Sequence, residues 1–534
     1  MELRRRDGAG AGDAVLRPVV GPGRQSGRPR RAQPPIFEKE HIFKLIVFDN
    51  VYIIEVAGRT PAADIEDPTV KQGDVQRMLV ATNRWWRNPR GWSRDDPDLR
   101  DADDAPFRYS AGVLDDLAPG GLYVLRGPRR VGKSVEVKRA IETLIAGGAE
   151  PRRILHASVD GWRANDLGGL VQAARPLTPR GGRRFWFIDE ITGITDGWPE
   201  RIKFLRDNDA RFRADTVVIT GSSAADLTGS VKALAGRRGP AGDPDRVLLP
   251  MGFRTFMQLT AEEPAPVDVG RLRAVDLTPQ RVAEAARALA PWLDLLAGAW
   301  DAYLLVGGFP TAVAGYLTAR EVAPAFVRSL IDVIHGDAFR RTEWSRVQTL
   351  AFLERMTNSL CSPLNYAAIA DDIGVSQPTA RRRIDDLREA FVLWPCHRED
   401  RLRPKLNAQA KAYFTDPVYA RLGPGTPDAN VLSQQQIGMA LLRNFERAHP
   451  GSYPEFDRVL YHRTATRKEI DFVGPEFGGV AIESKYVDGR WRREAQTLAA
   501  SGWRGIVATR TELDVEDAGV MAVPASMLAW LIDG

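Results

Sequence analysis

Cysteine is almost missing from this chain, whose 534 residues include only Cys361 and Cys396. Two thiols make no disulfide framework and cannot supply a thiolate zinc site, so the expected setting is a reducing cytoplasm. Long apolar runs are missing too. The best stretch, residues 42–56, is broken by Lys44, Asp49 and Glu55, and nothing in the sequence reads as a membrane span. Internal repeats are absent. Net charge is nearly absent outside one segment: residues 1–35 hold eight arginines against three acids, which accounts for the whole formal charge of +5. The basic composition therefore says little about partners of the near-neutral remainder. Residues 1–35 are rich in Gly, Pro and Arg and predict disorder. No apolar segment follows the arginines, as a secretory or twin-arginine signal would require. Residues 42–56 predict a hairpin turning at Asp49-Asn50.

What is present is concentrated. Gly127-Pro128-Arg129-Arg130-Val131-Gly132-Lys133-Ser134 is a complete G-x-x-x-x-G-K-S loop. The apolar Leu122-Tyr123-Val124-Leu125 before it predicts a buried strand, and residues 135–145 after it carry helical spacing. Glycines at 127 and 132 let the backbone curl, so that the N–H groups of Gly127, Arg130, Val131, Gly132, Lys133 and Ser134 can face an anion at a helix N-terminus. Lys133 would reach the outer phosphates of ATP, and the Ser134 hydroxyl would ligate Mg²⁺. The second half of such a site is Phe185-Trp186-Phe187-Ile188-Asp189-Glu190, an apolar strand ending in two acids. Asp189 would hold the Mg²⁺ shell and Glu190 would polarise the attacking water, with strand alternation aiming the two carboxylates apart. Thr220 or Ser222, after the next strand, could sense the γ-phosphate, or Ser222 or Ser223 could simply cap a helix. Arg237 or Arg238, in Leu234-Ala235-Gly236-Arg237-Arg238, could serve as an arginine finger within the chain or toward a neighbouring copy.

Strands at 154–156, 184–188, 216–219 and 246–249 alternate with helices and predict a parallel sheet covered on both faces. Residues 275–335 read as helices. Residues 366–373 and 377–391 form a helix-turn-helix with Ser376 as cap. Arg381, Arg382 and Arg383 project from its second helix toward duplex DNA, and wing strands follow at 391–394 and 413–414. From Ser376 to Lys405 eight basic residues face five acidic ones, a modest balance that equally fits a protein-docking module. Farther on, Asp471 precedes Glu483-Ser484-Lys485, the order of PD-(D/E)xK nucleases. Asp471 and Glu483 would share a divalent metal, and Lys485, on the same strand face as Glu483, would activate water.

Taken in order, the phosphate loop, Phe187-Ile188-Asp189-Glu190-Ile191, Ile219-Thr220-Gly221-Ser222-Ser223, Leu234-Ala235-Gly236-Arg237 and Gly307-Gly308-Phe309-Pro310 resemble a large bacterial and archaeal family of AAA+ ATPases. In that family the core is followed by a winged helix and a nuclease-like domain. The resemblance covers the chain from Asn83 onward and implies an additional-strand, glutamate-type ATPase sheet with a helical lid. It also marks a departure. Related chains carry a glutamate in the helix before the nuclease strands, where this one reads Leu441-Leu442-Arg443-Asn444-Phe445-Glu446, and Arg443 at that place puts metal loading in question.

The fold expected is α/β. A basic extension spans 1–75, a P-loop AAA+ core with a parallel sheet 76–256, a helical lid 257–345, a winged helix-turn-helix 346–424 and a small α/β nuclease-like domain 425–534. The function expected is ATP hydrolysis with Mg²⁺, coupled to duplex DNA through Arg381, Arg382 and Arg383, in a homo-oligomer away from membranes. The alternative is a nucleotide-gated protein switch with an inert C-terminal domain.

Overall fold

The computed structural model describes residues 42–48, 51–57, 70–194, 197–221, 233–339, 344–423, 425, 427–452, 458–464, 466–516 and 519–533. Two compact units divide the chain, 1–67 and 68–534. In the first, β1 (Ile42–Phe48) pairs antiparallel with β2 (Val51–Ala57), Phe48 lying opposite Val51. This is the hairpin the sequence predicts. Its expected turn residues, Asp49 and Asn50, and the segment 1–35 lie outside the described residues.

The second unit opens with a parallel sheet. Its strands are β3 (Leu122–Arg126), β4 (Ile154–Ser158), β5 (Phe185–Asp189), β6 (Thr216–Thr220) and β7 (Asp245–Val247). Their order is β4-β5-β6-β3-β7, with every pairing parallel. Strands β3 and β6 are buried along their whole length, which is why their sequences run apolar without alternation. Because β6 is inserted between β3 and β5, the C-terminal ends of all three strands meet at one edge of the sheet. That is where ligands bind in open parallel sheets.

Edge strand β4 would leave an unpaired row of backbone groups. The segment before β3 covers it. The Asn83 amide accepts from His156 N at 2.7 Å and donates to His156 O at 3.0 Å, imitating a neighbouring strand. The indoles of Trp85 and Trp86 both donate to Ile154 O, at 3.0 and 2.9 Å.

Beyond β7 the chain turns helical. α1 (Phe253–Thr260) and α2 (Leu293–Val306) join in an aromatic cluster of Phe253, Phe256, Trp300 and Tyr303. By length and composition the helical run Pro279–Val306 could cross a membrane, which the sequence pattern does not suggest. It is divided by a 3₁₀ turn at Ala290–Trp292, and it buries Val282, Ala286, Leu289, Leu296, Trp300 and Tyr303 in the common core. Next, α3 (Tyr366–Asp372) and α4 (Gln377–Glu389) form a helix-turn-helix. Ser376 caps α4 by accepting from Thr379 N, as its sequence predicts. A hairpin follows, with β8 (Leu393–Cys396) against β11 (Lys411–Phe414) and a short extension of β9 (Glu399–Asp400) against β10 (Arg403–Pro404).

The C-terminal part is a five-stranded sheet, β12 (Leu460–Arg463), β13 (Glu469–Val473), β14 (Val480–Ser484), β15 (Arg504–Thr509) and β16 (Val520–Pro524), in that spatial order. Strands β12 to β14 are antiparallel and β14 to β16 parallel. Two helices tie this sheet to everything before it. The twenty-residue α5 (Ala429–Ala448) is buried from Leu432 to Glu446, and α6 (Ala525–Ile532) is buried throughout.

Arg443 on α5 departs from the role its position suggested. Its Nε donates to Asp533 Oδ1 at 2.6 Å and its Nη2 to Asp533 Oδ2 at 3.0 Å, in a pair where both side chains are buried. Asp533 also accepts from the backbone N–H of Phe253, at the start of α1. The pair therefore staples the residue after α6 to the exit of the parallel sheet. Removing one partner of a buried pair strands a charge, which costs about 3–5 kcal/mol. Asp533→Asn is thus expected to lower the unfolding free energy by that order, and adding Arg443→Met should recover much of it. Chemical denaturation of the three proteins checks this, and additive losses would contradict it.

Candidate nucleotide site

The phosphate loop is shaped by its glycines. At Gly127 φ is +151°, and a Cβ there would lie 2.2 Å from Leu248 O. Gly132, at φ +105°, caps the helix Lys133–Ala146, which starts two residues earlier than its apolar spacing suggests. Arg130 also takes a positive φ, +65°, inside the loop. Val131 is buried beneath it in the core. The Lys133 ammonium donates to Gly127 O at 3.0 Å and Pro128 O at 2.9 Å, so the side chain lies along the inner curve of the loop.

Asp189 is the centre of the site. It accepts from the Thr220 hydroxyl and from Glu190 N at 3.0 Å; Ser134 Oγ lies 3.4 Å and His156 Nε2 3.8 Å from it. Burial opposes its charge, yet the nearby His156 ring and the Thr220 hydrogen bond outweigh it and hold the carboxyl at about 2. Ser134 Oγ and Asp189 Oδ2 offer adjacent hard oxygens, a donor set that fits Mg²⁺. Glu190 follows a different rule from the expected alternation. β5 ends at Asp189, and Glu190 turns into the left-handed region at φ +56°. That turn, not the pleat, separates the two carboxylates. Burial and then the Asp189 charge push the Glu190 carboxyl upward, while Arg129 and Lys133 pull it down. A raised carboxyl is a better proton acceptor than an ordinary one.

Thr220 thus engages Asp189 directly, and Ser222 and Ser223 lie outside the described residues. His156 is a neighbour that motif reading missed, since its place depends on the β4–β5 pairing. Arg237 is not brought to the loop of its own chain. It pairs with Asp207 at 3.1 and 3.2 Å, and the adjacent Arg238 carbonyl accepts from Leu122 N at the start of β3. The length of that strand puts it roughly 15 Å from the phosphate loop. The Arg237 guanidinium is thus engaged by Asp207 at the opposite end of β3 from the phosphate loop.

On the helix-turn-helix, Arg381 and Arg382 are exposed, with Arg381 stacked on Tyr366 at 4.4 Å. Arg383 corrects the expectation of three projecting arginines. It is buried, pairs with Asp386, and lies over the Trp344 ring at 5.3 Å.

The acids of the C-terminal sheet converge as expected but with partners already in place. Asp471 Oδ1 accepts from Gln434 Nε2 at 2.6 Å and Lys411 Nζ at 3.2 Å, and Oδ2 from Ser484 N at 3.0 Å. Glu483 Oε2 accepts from Asp471 N at 3.1 Å, and Oε1 lies 3.0 Å from Lys485 Nζ. Burial, then Asp471, raises the Glu483 carboxyl well above its ordinary range. Among the described residues no group of three His, Cys, Asp or Glu side chains is placed to hold a metal. Each oxygen of Asp471 and Glu483 is thus already opposite a nitrogen donor of the chain. Lys411 and Gln434 were not anticipated, because the hairpin and helix that carry them meet the acids only in the fold.

Comparison with known proteins agrees with the first site. Residues 120–257 match the family model of an AAA domain, and residues 297–421 match that of a domain of unknown function (DUF8612). Loop, acidic strand end, strand order and family match together make residues 120–257 a P-loop AAA-type ATPase core. No curated protein matches the chain. Among solved structures, a Walker-type ATPase of Pyrococcus abyssi is 13% identical with a TM-score of 0.32, covering 63% of this chain and 95% of its own. The ORC2 protein of Aeropyrum pernix, in ADPNP–ADP complexes, is 11% identical with a TM-score of 0.29, covering 66% and 94%. A RuvB variant of Thermotoga maritima is 15% identical with a TM-score of 0.24, covering 55% and 86%.

The placement of the three arginines predicts unequal effects. Arg383→Ala should destabilise the protein by about 2 kcal/mol or more, since it strands Asp386 and empties a packed position. Arg381→Ala and Arg382→Ala should each stay within about 1 kcal/mol. Denaturation midpoints of the three variants measure this, and equal shifts would disprove the placement.

Proposed function

We propose that the chain hydrolyses ATP and passes its nucleotide state to a winged helix that binds duplex DNA. The observation that carries this reading is the placement of Arg129. It belongs to the phosphate loop, its charge acts on Glu190, and it lines a cavity of about 20 Å³ with Ile334, Ala390, Val392 and Tyr419. Ala390 and Val392 sit at the exit of α4, so the loop reaches the helix-turn-helix within one side chain.

In this reading the loop N–H groups and Lys133 bind the triphosphate, and Glu190 accepts the proton of the attacking water. Thr220 and His156 keep Asp189 ionised and oriented. Ser134 and Asp189 would hold Mg²⁺, which when bound would neutralise phosphate charge. Arg237 faces away from its own loop and suits a finger offered to a second copy. DNA phosphates meet Arg381 and Arg382 on α4, joined by Arg401, Arg403 and Lys405 at the hairpin tip. There Arg401 and Leu402, both at positive φ, turn the chain tightly outward. One observation favours the rival protein switch: Leu406 at the same tip is 74% exposed, an apolar contact that DNA does not need.

Two experiments separate these readings. Lys133→Ala should lose ATP binding, whereas Glu190→Gln should keep it and slow turnover by ~10²-fold or more, the scale of a general base. Normal turnover in Glu190→Gln would remove Glu190 from the mechanism. Duplex DNA should stimulate wild-type turnover. The Arg381→Ala/Arg382→Ala protein should show a salt slope of duplex binding smaller by ~0.9 for each phosphate it no longer neutralises. An unchanged slope, with no stimulation by DNA, would favour the protein switch.

A further inference from the structure

The acid cluster of the C-terminal sheet already has its partners within the chain itself. Three carboxylates, Glu469, Asp471 and Glu483, meet three cations: Lys411 at 3.1 and 3.2 Å from Glu469 and Asp471, Lys485 at 3.0 Å from Glu483, and Arg463 at 3.8 Å from Glu469. Every oxygen of Asp471 and Glu483 faces a nitrogen donor. The helix that precedes the strands contributes an amide, Gln434, where an acid would extend a metal site. Most telling is where Lys411 comes from. It heads β11 of the hairpin, not the sheet, and its side chain is 3% exposed beneath the Tyr461 ring, 5.2 Å from the ring centre. A lysine almost never reaches such burial unless its charge is matched. Its ionisation follows from the same contacts: burial disfavours the ammonium, but Asp471 and Glu469 outweigh it.

We propose that the Lys411 ammonium stands in for a divalent cation at Asp471, so that the acid cluster is an ion-pair clamp between hairpin and C-terminal sheet and takes no metal. A divalent ion could enter only by displacing Lys411, because it would otherwise add like charge beside an ammonium it cannot screen. The same residue that closes the site holds the hairpin to the sheet, so the two properties are linked.

The test is a Mn²⁺ titration of the full chain without nucleotide, free Mn²⁺ being read by electron paramagnetic resonance. The wild type and Asp471→Asn should take up Mn²⁺ equally. Lys411→Met should gain uptake that Lys411→Met/Asp471→Asn lacks. The clamp is read by thermal unfolding: Lys411→Met should melt below the wild type, and adding Asp471→Asn should raise the Tm again by removing an unmatched buried carboxylate. Wild-type uptake that disappears in Asp471→Asn would overturn the proposal, as would a folded Lys411→Met protein that gains no uptake. If Lys411→Met fails to fold, the comparison of wild type with Asp471→Asn still decides whether the cluster takes metal.

Discussion

A helix with no solvent face can carry polar side chains only if each one finds a partner, and α5 carries a row of them. Ser433 accepts from the Trp300 indole; Gln434 donates to Asp471; Gln435 accepts from Phe414 N; Gln436 accepts from the Tyr303 hydroxyl. Near the other end, Asn444 accepts from Ala274 N and donates to Leu272 O and Ile532 O. Successive residues thus reach the helical region, the C-terminal sheet, the hairpin and the helical region again. An unmade bond in such a place carries the full desolvation penalty of the group, whereas apolar packing alone would tolerate sliding. The constraint is therefore one of register. These bonds favour one register among the parts that meet on α5, although the Gln435 and Gln436 amide nitrogens are buried without a hydrogen-bond partner among the described residues, and one hydrophobic core runs through all of the parts.

That arrangement gives the ATPase site its reach. The end of β3 leads into the phosphate loop, and Arg126, its last residue, donates to Gly451 O at 2.8 Å in the loop just after α5. Met251, leaving the same sheet, accepts from the Tyr303 hydroxyl and donates to Gly308 O. Gly308 in turn donates to the buried Asp416 at 2.7 Å, at the end of the hairpin. Here the Gly307-Gly308 pair explains itself: Gly307 needs φ +77°, and a Cβ on Gly308 would lie 1.9 Å from Met251 O. Strand ends that would face solvent in an isolated sheet are joined by direct hydrogen bonds to the loop after α5 and, through Gly308, to the end of the hairpin. A shift of the phosphate loop has few ways to remain local.

How far the sequence reads depends on the distance between partners. The five strands of the ATPase sheet, the phosphate loop and the Ser376 cap are local patterns, and each stands close to where its spacing predicts, the last strand ending at Val247 rather than Leu249. Asp189 and Glu190 were legible as a pair, but the left-handed turn that separates them was not, because strand alternation offers an equally simple account. Arg383 was legible and misread. It falls three residues after Ala380 and four before Leu387, on the face those apolar residues bury, so helical spacing alone distinguishes it from Arg381 and Arg382. Arg443 and Lys411 were beyond sequence spacing. Their partners lie 90 and 60 residues away, and nothing local distinguishes a buried ion pair from a solvated charge.

The two departures at the C-terminal sheet have one physical cause. A divalent cation holds carboxylates together strongly but needs open oxygens and access to water, since its ligands must be free to receive it. In this chain the acids lie under a hairpin that docks on the same sheet. Closure by the hairpin favours an ammonium already attached to the hairpin over an ion that must arrive from solvent. Once Lys411 supplies the charge, an acid on the preceding helix would be an unmatched anion. Gln434 serves there without charge, and Arg443, farther along α5, takes up Asp533 at the chain end. The uncharged Gln434 and the buried Lys411 then follow from one constraint, an acid cluster that serves as an internal joint.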